Sequence, residues 1–264
     1  MREKLSKANQ SVEKVFQIIE TMVQHNGPMR LQDISNLIGM PSSTVLRLLN
    51  TLAIYNYVNQ DAETSKYSLS MKFAQIGSLV SSQNNLRNIA HRFLVDLSNK
   101  CHESTCLAIE EDREVVYIDL VDGPDNMLRT TQRVGKRAPM HSTGVGKLML
   151  LNYDNQQLDK LISIKGLPAL THKTLTTRED LVSSLHQARA NNYALDNEEC
   201  ELGVRCIATP IRDYTGRVIA GISVSGPITR LSMDRINTLK DTVIATGEKI
   251  SSLMAYKKDF EKKL

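Results

Sequence analysis

Apolar side chains recur along the first fifty residues at the spacing of amphipathic helices. Val12, Val15, Phe16, Ile19, Met22 and Val23 fall at i, i+3, i+4, i+7, i+10 and i+11, which is one stripe of an α-helix. Asn26-Gly27-Pro28 should end it, with Gly27 taking a left-handed turn and Pro28 forbidding continuation. A second, short helix is expected from Leu31 or Ile34 to Ile38, stopped by Gly39. After Gly39-Met40-Pro41 a third helix starts, with Pro41 near its first turn, where a missing N–H costs nothing. Two short helices around a glycine-containing turn form the helix-turn-helix pattern.

The third helix divides into two faces. Val45, Leu48, Leu49 and Leu52 share one side and must pack on the first two helices. Ser43, Arg47 and Asn50 point the other way, and Ser42 and Thr44 stand at the helix start, where hydroxyls and free N–H groups meet phosphate. Arg47 is the candidate for a base contact, because a guanidinium engages guanine O6 and N7 together. Next, Tyr57 to Gln60, the turn residues 61–65 and Lys66 to Leu69 read as a two-stranded hairpin. Directly after a recognition helix such a hairpin is a wing, and Lys66 is placed to touch backbone phosphate.

Charge adds little to this picture. The formal net charge is +4, and residues 1–85 hold eight Lys/Arg against six Asp/Glu. DNA affinity must therefore come from a few placed cations and helix N-termini, doubled in a dimer.

Beyond the wing the pattern changes. Residues 71–83 carry a weak helical period and suit a connecting helix, so the expected domains are 1–70, a linker at 71–85, and 86–264. From Leu86 onward short strands alternate with helices. Ile89 to Cys101 is helical, with Phe93, Leu94, Leu97 and Cys101 in phase. Segments 104–110 and 114–121 form a hairpin, as do 204–211 and 217–225. Leu175 to Asn191 is a helix with Thr177 as N-cap and Asp180 three residues on, and a long helix from Ser232 to Lys257 closes the chain. Several hairpins mixed with helices predict an α+β fold with a largely antiparallel sheet.

Composition narrows the function classes. At 264 residues the chain suits one small and one medium domain, and 41% hydrophobic residues suffice for two cores. No apolar run is long enough to cross a bilayer, and the leading MREKLSKANQ lacks the apolar core of a secretion signal, so a cytoplasmic protein without a membrane partner is expected. Cys101, Cys106, Cys200 and Cys206 describe neither a disulfide scaffold nor the CxxC spacing of structural zinc sites. They are expected as buried or pocket-lining thiols, and no metal or cofactor is anticipated.

Three stretches carry candidate chemistry. His141-Ser142-Thr143-Gly144-Val145-Gly146-Lys147 precedes an apolar helix at Leu148 to Leu151, and its glycines permit close backbone approach to an anion or simply close packing. It is not a Walker A loop, because His141 stands where that motif needs Gly and Leu148 where it needs Ser or Thr. The acidic run Asp196-Asn197-Glu198-Glu199-Cys200-Glu201 reads as a solvated loop. In Ile222-Ser223-Val224-Ser225 strand alternation puts both hydroxyls on one face. A Cys206–His141 nucleophile and base is conceivable by composition, yet neither GxSxG nor HExxH occurs, and no catalytic residue is assigned.

The run SVEKVFQIIETMVQHNGPMRLQDISNLIGMPSSTVLRLLNTLAIYNYV, with its core Gly39 to Leu49, resembles the DNA-binding domain of IclR-type regulators. The resemblance extends through the C-terminal region. It implies a winged helix-turn-helix joined to a ligand-sensing domain of the GAF/PAS group. Carried over position by position, it implies an effector pocket of Gly144, Val145, Asp196, Cys206, Ser223 and Ser225, with Val145 where alanine is frequent. Asp196 suits an anionic effector only if it meets a ligand hydroxyl or is itself protonated.

The expected function is a DNA-binding transcription regulator, a repressor more readily than an activator. A small hydroxy- or keto-acid would control its grip on a pseudo-palindromic double-stranded operator, and the protein would act as a homodimer or dimer of dimers. Two alternatives stand beside it: a constitutive DNA-binding protein whose C-terminal domain only oligomerises, and an enzyme carrying a vestigial helix-turn-helix.

Overall fold

The computed structural model describes residues 9–83, 86–123 and 132–257. The first eight residues of the polar leader, and residues 84 and 85 at the end of the expected linker, lie outside them. The chain divides into two compact units, Met1–Asn84 and Asn85–Leu264.

The first unit holds α1 (Gln10–His25), α2 (Leu31–Ile38), α3 (Ser42–Ile54), strands β1 (Val58–Gln60) and β2 (Tyr67–Leu69), and α4 (Lys72–Gln83). Asn9 caps α1 by accepting from the amides of Ser11 and Val12. Its other end differs from expectation. Asn26, at φ 54°, takes the left-handed position that was expected of Gly27, a conformation asparagine tolerates. The buried face is also rotated: Ile18 and Met22 enter the core, whereas Val12, Phe16 and Val23 are exposed. The reason lies in the partners. Ile18 and Met22, one turn apart, share their cluster with Ile34 of α2 and Val45 and Leu49 of α3, and the remainder of the sequence stripe runs beside that contact. Gly39, at φ 65°, lets the chain leave α2 in the left-handed region. β1 and β2 pair antiparallel, with Val58 opposite Leu69 and Gln60 opposite Tyr67, and Met29 bridges to Tyr67.

The second unit is built on one six-stranded antiparallel sheet in the order β5-β4-β3-β8-β7-β6. Its strands are β3 (Ser104–Glu111), β4 (Glu114–Val121), β5 (Arg137–Ala138), β6 (Ala194–Asn197), β7 (Val204–Arg212) and β8 (Val218–Pro227). Strand alternation sorts two cores. Leu107, Ile207, Ile211, Ala220, Ile222 and Val224 face α5 (Leu86–Cys101) and α9 (Met233–Leu253). Cys106, Ala108, Tyr117 and Ala208 face the other side. There they pack with Leu148 and Met149 of α6 (Gly144–Met149), Leu158 and Leu161 of α7 (Asn155–Lys165), and Leu181 and Leu185 of α8 (Arg178–Asn191). Helices therefore cover both faces of the sheet, and it is the wholly antiparallel pairing of its strands that makes the unit α+β as predicted.

Helix boundaries follow the caps. Thr177 accepts from the amide of Asp180 as expected, so α8 starts at Arg178 rather than Leu175. Thr143 accepts from the amide of Gly146, which starts α6 at Gly144, four residues before the apolar run. Gly146 is obligatory for a steric reason, since a Cβ there would stand 2.3 Å from the carbonyl oxygen of Met140.

Candidate DNA interface and effector cavity

The two helices of the first motif are bent by 115° across the Gly39–Pro41 turn. A bend of that size is the helix-turn-helix crossing. No single helix among the described residues is long and apolar enough to span a membrane. Val45, Leu48, Leu49 and Leu52 are buried, which leaves Ser43, Arg47 and Asn50 exposed on the opposite side of α3. No side chain caps α3, so its first amides remain open at an end that favours anions. Arg47 makes no ion pair among the described residues. Ser42 and Thr44 are half-buried.

The hydroxyl of Ser42 turns inward, lying 3.2 Å from Gln32 Oε1 and 3.1 Å from Ser35 Oγ of α2. Ser35 in turn donates to the carbonyl of Met40. Ser42 thus braces the turn, and it is Ser43 that faces outward. In the wing, Asp61 Oδ1 accepts from the amide and hydroxyl of Thr64, which holds the Asp61 carboxyl below the usual range and fixes the loop before Lys66. Lys66 itself is half-buried at the foot of β2.

In the second unit a cavity of about 40 Å³ opens on the α6–α8 side of the sheet. Asp196 and Cys206, directly opposed across β6 and β7, both line it. Cys206 is also opposed to Ser225 on β8, and Cys106 to Ser223. The Cys106 thiol and Ser223 hydroxyl lie 3.0 Å apart, and the two serine hydroxyls 3.4 Å apart, so the predicted shared face exists. All four side chains are buried.

Of the six residues expected in the pocket, Gly144, Val145, Ser223 and Ser225 are not among those that line this cavity. Gly144 lies against Ala194 and Ala208, where a Cβ would stand 3.1 Å from that of Ala208. Val145 packs on Gly221. Gly144 and Val145 seat α6 on the sheet. The cavity instead gains Glu201 from the acidic run and three residues that local spacing did not mark: Tyr117, Gln132 and Lys136. Gln132 donates to the Tyr117 hydroxyl at 3.3 Å, and its buried Oε1 has no partner among the described residues.

The acidic run is not the solvated loop expected of it. Asp196, Glu198 and Glu199 are buried, each for its own electrostatic reason. Asp196 Oδ1 accepts from the amides of Glu199 and Cys200 at 2.8 and 3.2 Å. Glu198 pairs with Lys173, which holds its carboxyl below the usual range. Glu199 pairs at 2.6 Å with Lys147, itself buried. Burial pushes the Asp196 carboxyl up to about 7, with the neighbouring Glu199 adding to the rise while the two amides and Lys147 oppose it.

Burial likewise lifts the thiols, Cys106 and Cys200 to about 11 and Cys206 well above its ordinary value. A nucleophilic thiolate at Cys206 is thereby disfavoured. His141, the imagined base, has its Nε2 3.1 Å from the carbonyl oxygen of Pro168 instead, and burial lowers its pKa.

Two family profiles match the chain: "IclR helix-turn-helix domain" over residues 11–62 and "Bacterial transcriptional regulator IclR C-terminal" over residues 78–252. The chain belongs to the IclR family. It is similar to the Escherichia coli HTH-type transcriptional regulator XynR, 34% identical across 94% of this chain and 98% of that one. It also resembles the E. coli transcriptional repressor IclR, at 32% identity over 92% and 89% of the two chains. Among solved structures, Thermotoga maritima IclR superposes with a TM-score of 0.62 at 29% identity, covering 94% of this chain and 99% of that one. IclR-family proteins are transcription regulators rather than enzymes, and this chain is a DNA-binding regulator with an N-terminal helix-turn-helix.

Proposed function

We propose that this IclR-family regulator is a repressor whose hold on a pseudo-palindromic operator is set by a small hydroxy- or keto-acid bound in the C-terminal cavity. The observation that supports it most is the polar makeup of that cavity. Asp196 Oδ1 is spoken for by two amides, while its Oδ2 carries no hydrogen bond among the described residues. Asp196, titrating near neutrality, accepts from or donates to a ligand hydroxyl or keto oxygen, and the orphaned Gln132 Oε1 takes a second donor. Lys136 supplies the one cation of the lining among the described residues, a counter-ion for a carboxylate. A volume of about 40 Å³ holds roughly three water molecules, which favours an acid of two or three carbons.

Within this reading Cys206 lines the cavity, Ser225 and Ser223 lie behind it on β8 as a buried polar support, and Gly144 and Val145 hold α6 on the sheet. Ser43, Thr44, Arg47, Asn50 and Lys66 contact DNA, with Ser42 contributing its backbone amide. One recognition helix reads too few base pairs for a specific site, so two copies act together. The exposed stripe of Val12, Phe16 and Val23 on α1 is an apolar surface suited to that pairing. The repressor sense follows the names of relatives such as the E. coli transcriptional repressor IclR. An effector shifts operator affinity only if it binds the free and DNA-bound states unequally.

The test is thermal stability of the protein against a panel of two- to four-carbon keto- and hydroxy-acids, with operator binding measured alongside. A ligand at a hundred times its Kd should stabilise by roughly 2.7 kcal/mol. The gain should vanish in Asp196→Ala and Ser223→Ala and be accompanied by a change in operator affinity. Stabilisation that survives both substitutions refutes the site. An unchanged operator affinity refutes the control, leaving a constitutive DNA-binding protein.

A further inference from the structure

Away from the effector cavity, at another edge of the C-terminal unit, an open groove of about 750 Å³ is lined by Arg189, Arg212 and Arg217. They reach it from three elements: the last turn of α8, the end of β7, and the hairpin turn that leads into β8. No carboxylate lines the groove among the described residues, and no ion pair is made there by any of the three. The acid nearest in sequence, Asp213, uses its Oδ1 on the amide and hydroxyl of Thr215. Glu248 lines the adjoining hollow, which shares Arg189 and Arg212 with the groove.

Two of the guanidiniums are held in place. Arg189 donates to the carbonyl of Leu151 at 2.9 Å, and Arg212 to that of Gly216 at 2.9 Å. Each bond uses one of five N–H groups and leaves the rest of the fork available. The floor beneath is rigid as well, because Asn152 bonds both the amide and the carbonyl of Val218 at 3.0 and 2.7 Å. Among the described residues Leu151 is the only large apolar side chain of the lining. A ligand here gains its affinity from charge, not from apolar burial. Three cations around one depression that no carboxylate lines among the described residues repel one another, and an anion of more than one charge relieves that repulsion.

We propose that this groove binds a multiply charged small oxyanion, phosphoryl or polycarboxylate, at a second site independent of the effector cavity. The guanidinium fork matches either group in a bidentate manner.

Calorimetric titration of the full-length protein with inorganic pyrophosphate and with citrate, at ionic strength held constant with sodium chloride, tests it. Saturable binding of one anion per chain is expected, and the tighter of the two probes identifies a phosphoryl or a carboxyl source. Arg217→Gln, at an exposed position whose side chain makes no hydrogen bond or ion pair among the described residues, should weaken binding about tenfold, and Arg189→Gln with Arg217→Gln further. Asp196→Ala should leave it unchanged. Absence of saturable heat from both probes, equal affinity in the arginine variants, or loss of binding in Asp196→Ala each overturns the proposal.

Discussion

The ammonium of Lys147 lies 2.6 Å from Oε1 of Glu199, and both side chains are sealed inside the C-terminal unit. The same ammonium donates to the carbonyl of Leu195 at 2.9 Å, so one charge pins α6 to β6 and to the loop that carries the acidic run. A buried pair of this kind is costly to break and cheap to remove whole, because a lone buried charge has lost its solvent and its partner together. Lys147→Met alone should destabilise the unit by about 3–5 kcal/mol. Lys147→Met with Glu199→Gln should recover part of that loss. Urea unfolding of the parent, Lys147→Met, Glu199→Gln and the double variant measures both quantities, and strictly additive losses would contradict the pairing.

Asp196 links the C-terminal cavity to pH. Its folded carboxyl titrates at about 7, and an unfolded aspartate near 3.9. Between those values the folded state binds the extra proton, so stability falls as pH rises through the window and the loss is complete above it. Glu199 reinforces the shift and Lys147 opposes it, while Tyr117, Cys200 and Cys206 stay protonated across the range and Lys136 and Glu201 stand at the cavity wall. Asp196→Asn keeps an acceptor for the two amides and removes the titration. Its stability should be flatter between pH 4 and 7. At pH 8 it should exceed the parent by an amount on the order of a few kcal/mol. Parallel pH slopes for the two proteins would show that Asp196 ionises normally.

Ser42 and Ser43 are neighbours that face opposite ways, Ser42 bonded inward and Ser43 exposed. Ser42→Ala removes the contacts to Gln32 and Ser35 and should cost about 1 kcal/mol of stability in the N-terminal unit. Ser43→Ala touches no internal partner. It should leave thermal stability within about 0.5 kcal/mol and weaken DNA binding. Melting curves and operator titrations on the two variants separate the roles, and equal behaviour in both assays would refute the division.

The reading head was legible because its signals are local: a helical apolar period, a glycine in the left-handed turn, and a hairpin directly after the third helix. Small errors came where neighbours compete. Asn26 took the left-handed position beside a better candidate, Gly27. The α1 stripe was broad enough that only packing against Ile34, Val45 and Leu49 selected Ile18 and Met22. In the C-terminal unit, Ser223 and Ser225 were legible from strand alternation. The onset of α6 was hidden because its first turn is glycine-rich and carries no apolar period; Thr143 as N-cap was the signal that marked it. The buried acids were misread because their partners, Lys147 and Lys173, are remote in sequence. Tyr117, Gln132 and Lys136 reach the cavity from β4 and the segment before β5, a convergence no spacing rule encodes.

Arg47 and Lys66 offer the sharpest test of how the N-terminal unit reads DNA. Arg47 is exposed on the outer face of α3 with no competing ion pair among the described residues, whereas Lys66 sits at the foot of the wing. A guanidinium on a base edge acts on sequence, and an ammonium on a phosphate acts on charge. Arg47→Ala should cost about 1–3 kcal/mol of operator binding and little of the binding to random DNA, which flattens discrimination at the contacted base pair. Lys66→Ala should weaken both about equally and reduce the slope of log affinity against log salt by about 1 per reading head. Titrations of operator and scrambled duplexes at several salt concentrations give all four numbers. If Arg47→Ala instead lowers both affinities together with the salt slope, Arg47 is a phosphate contact, and base reading must fall to Ser43, Asn50 or the wing.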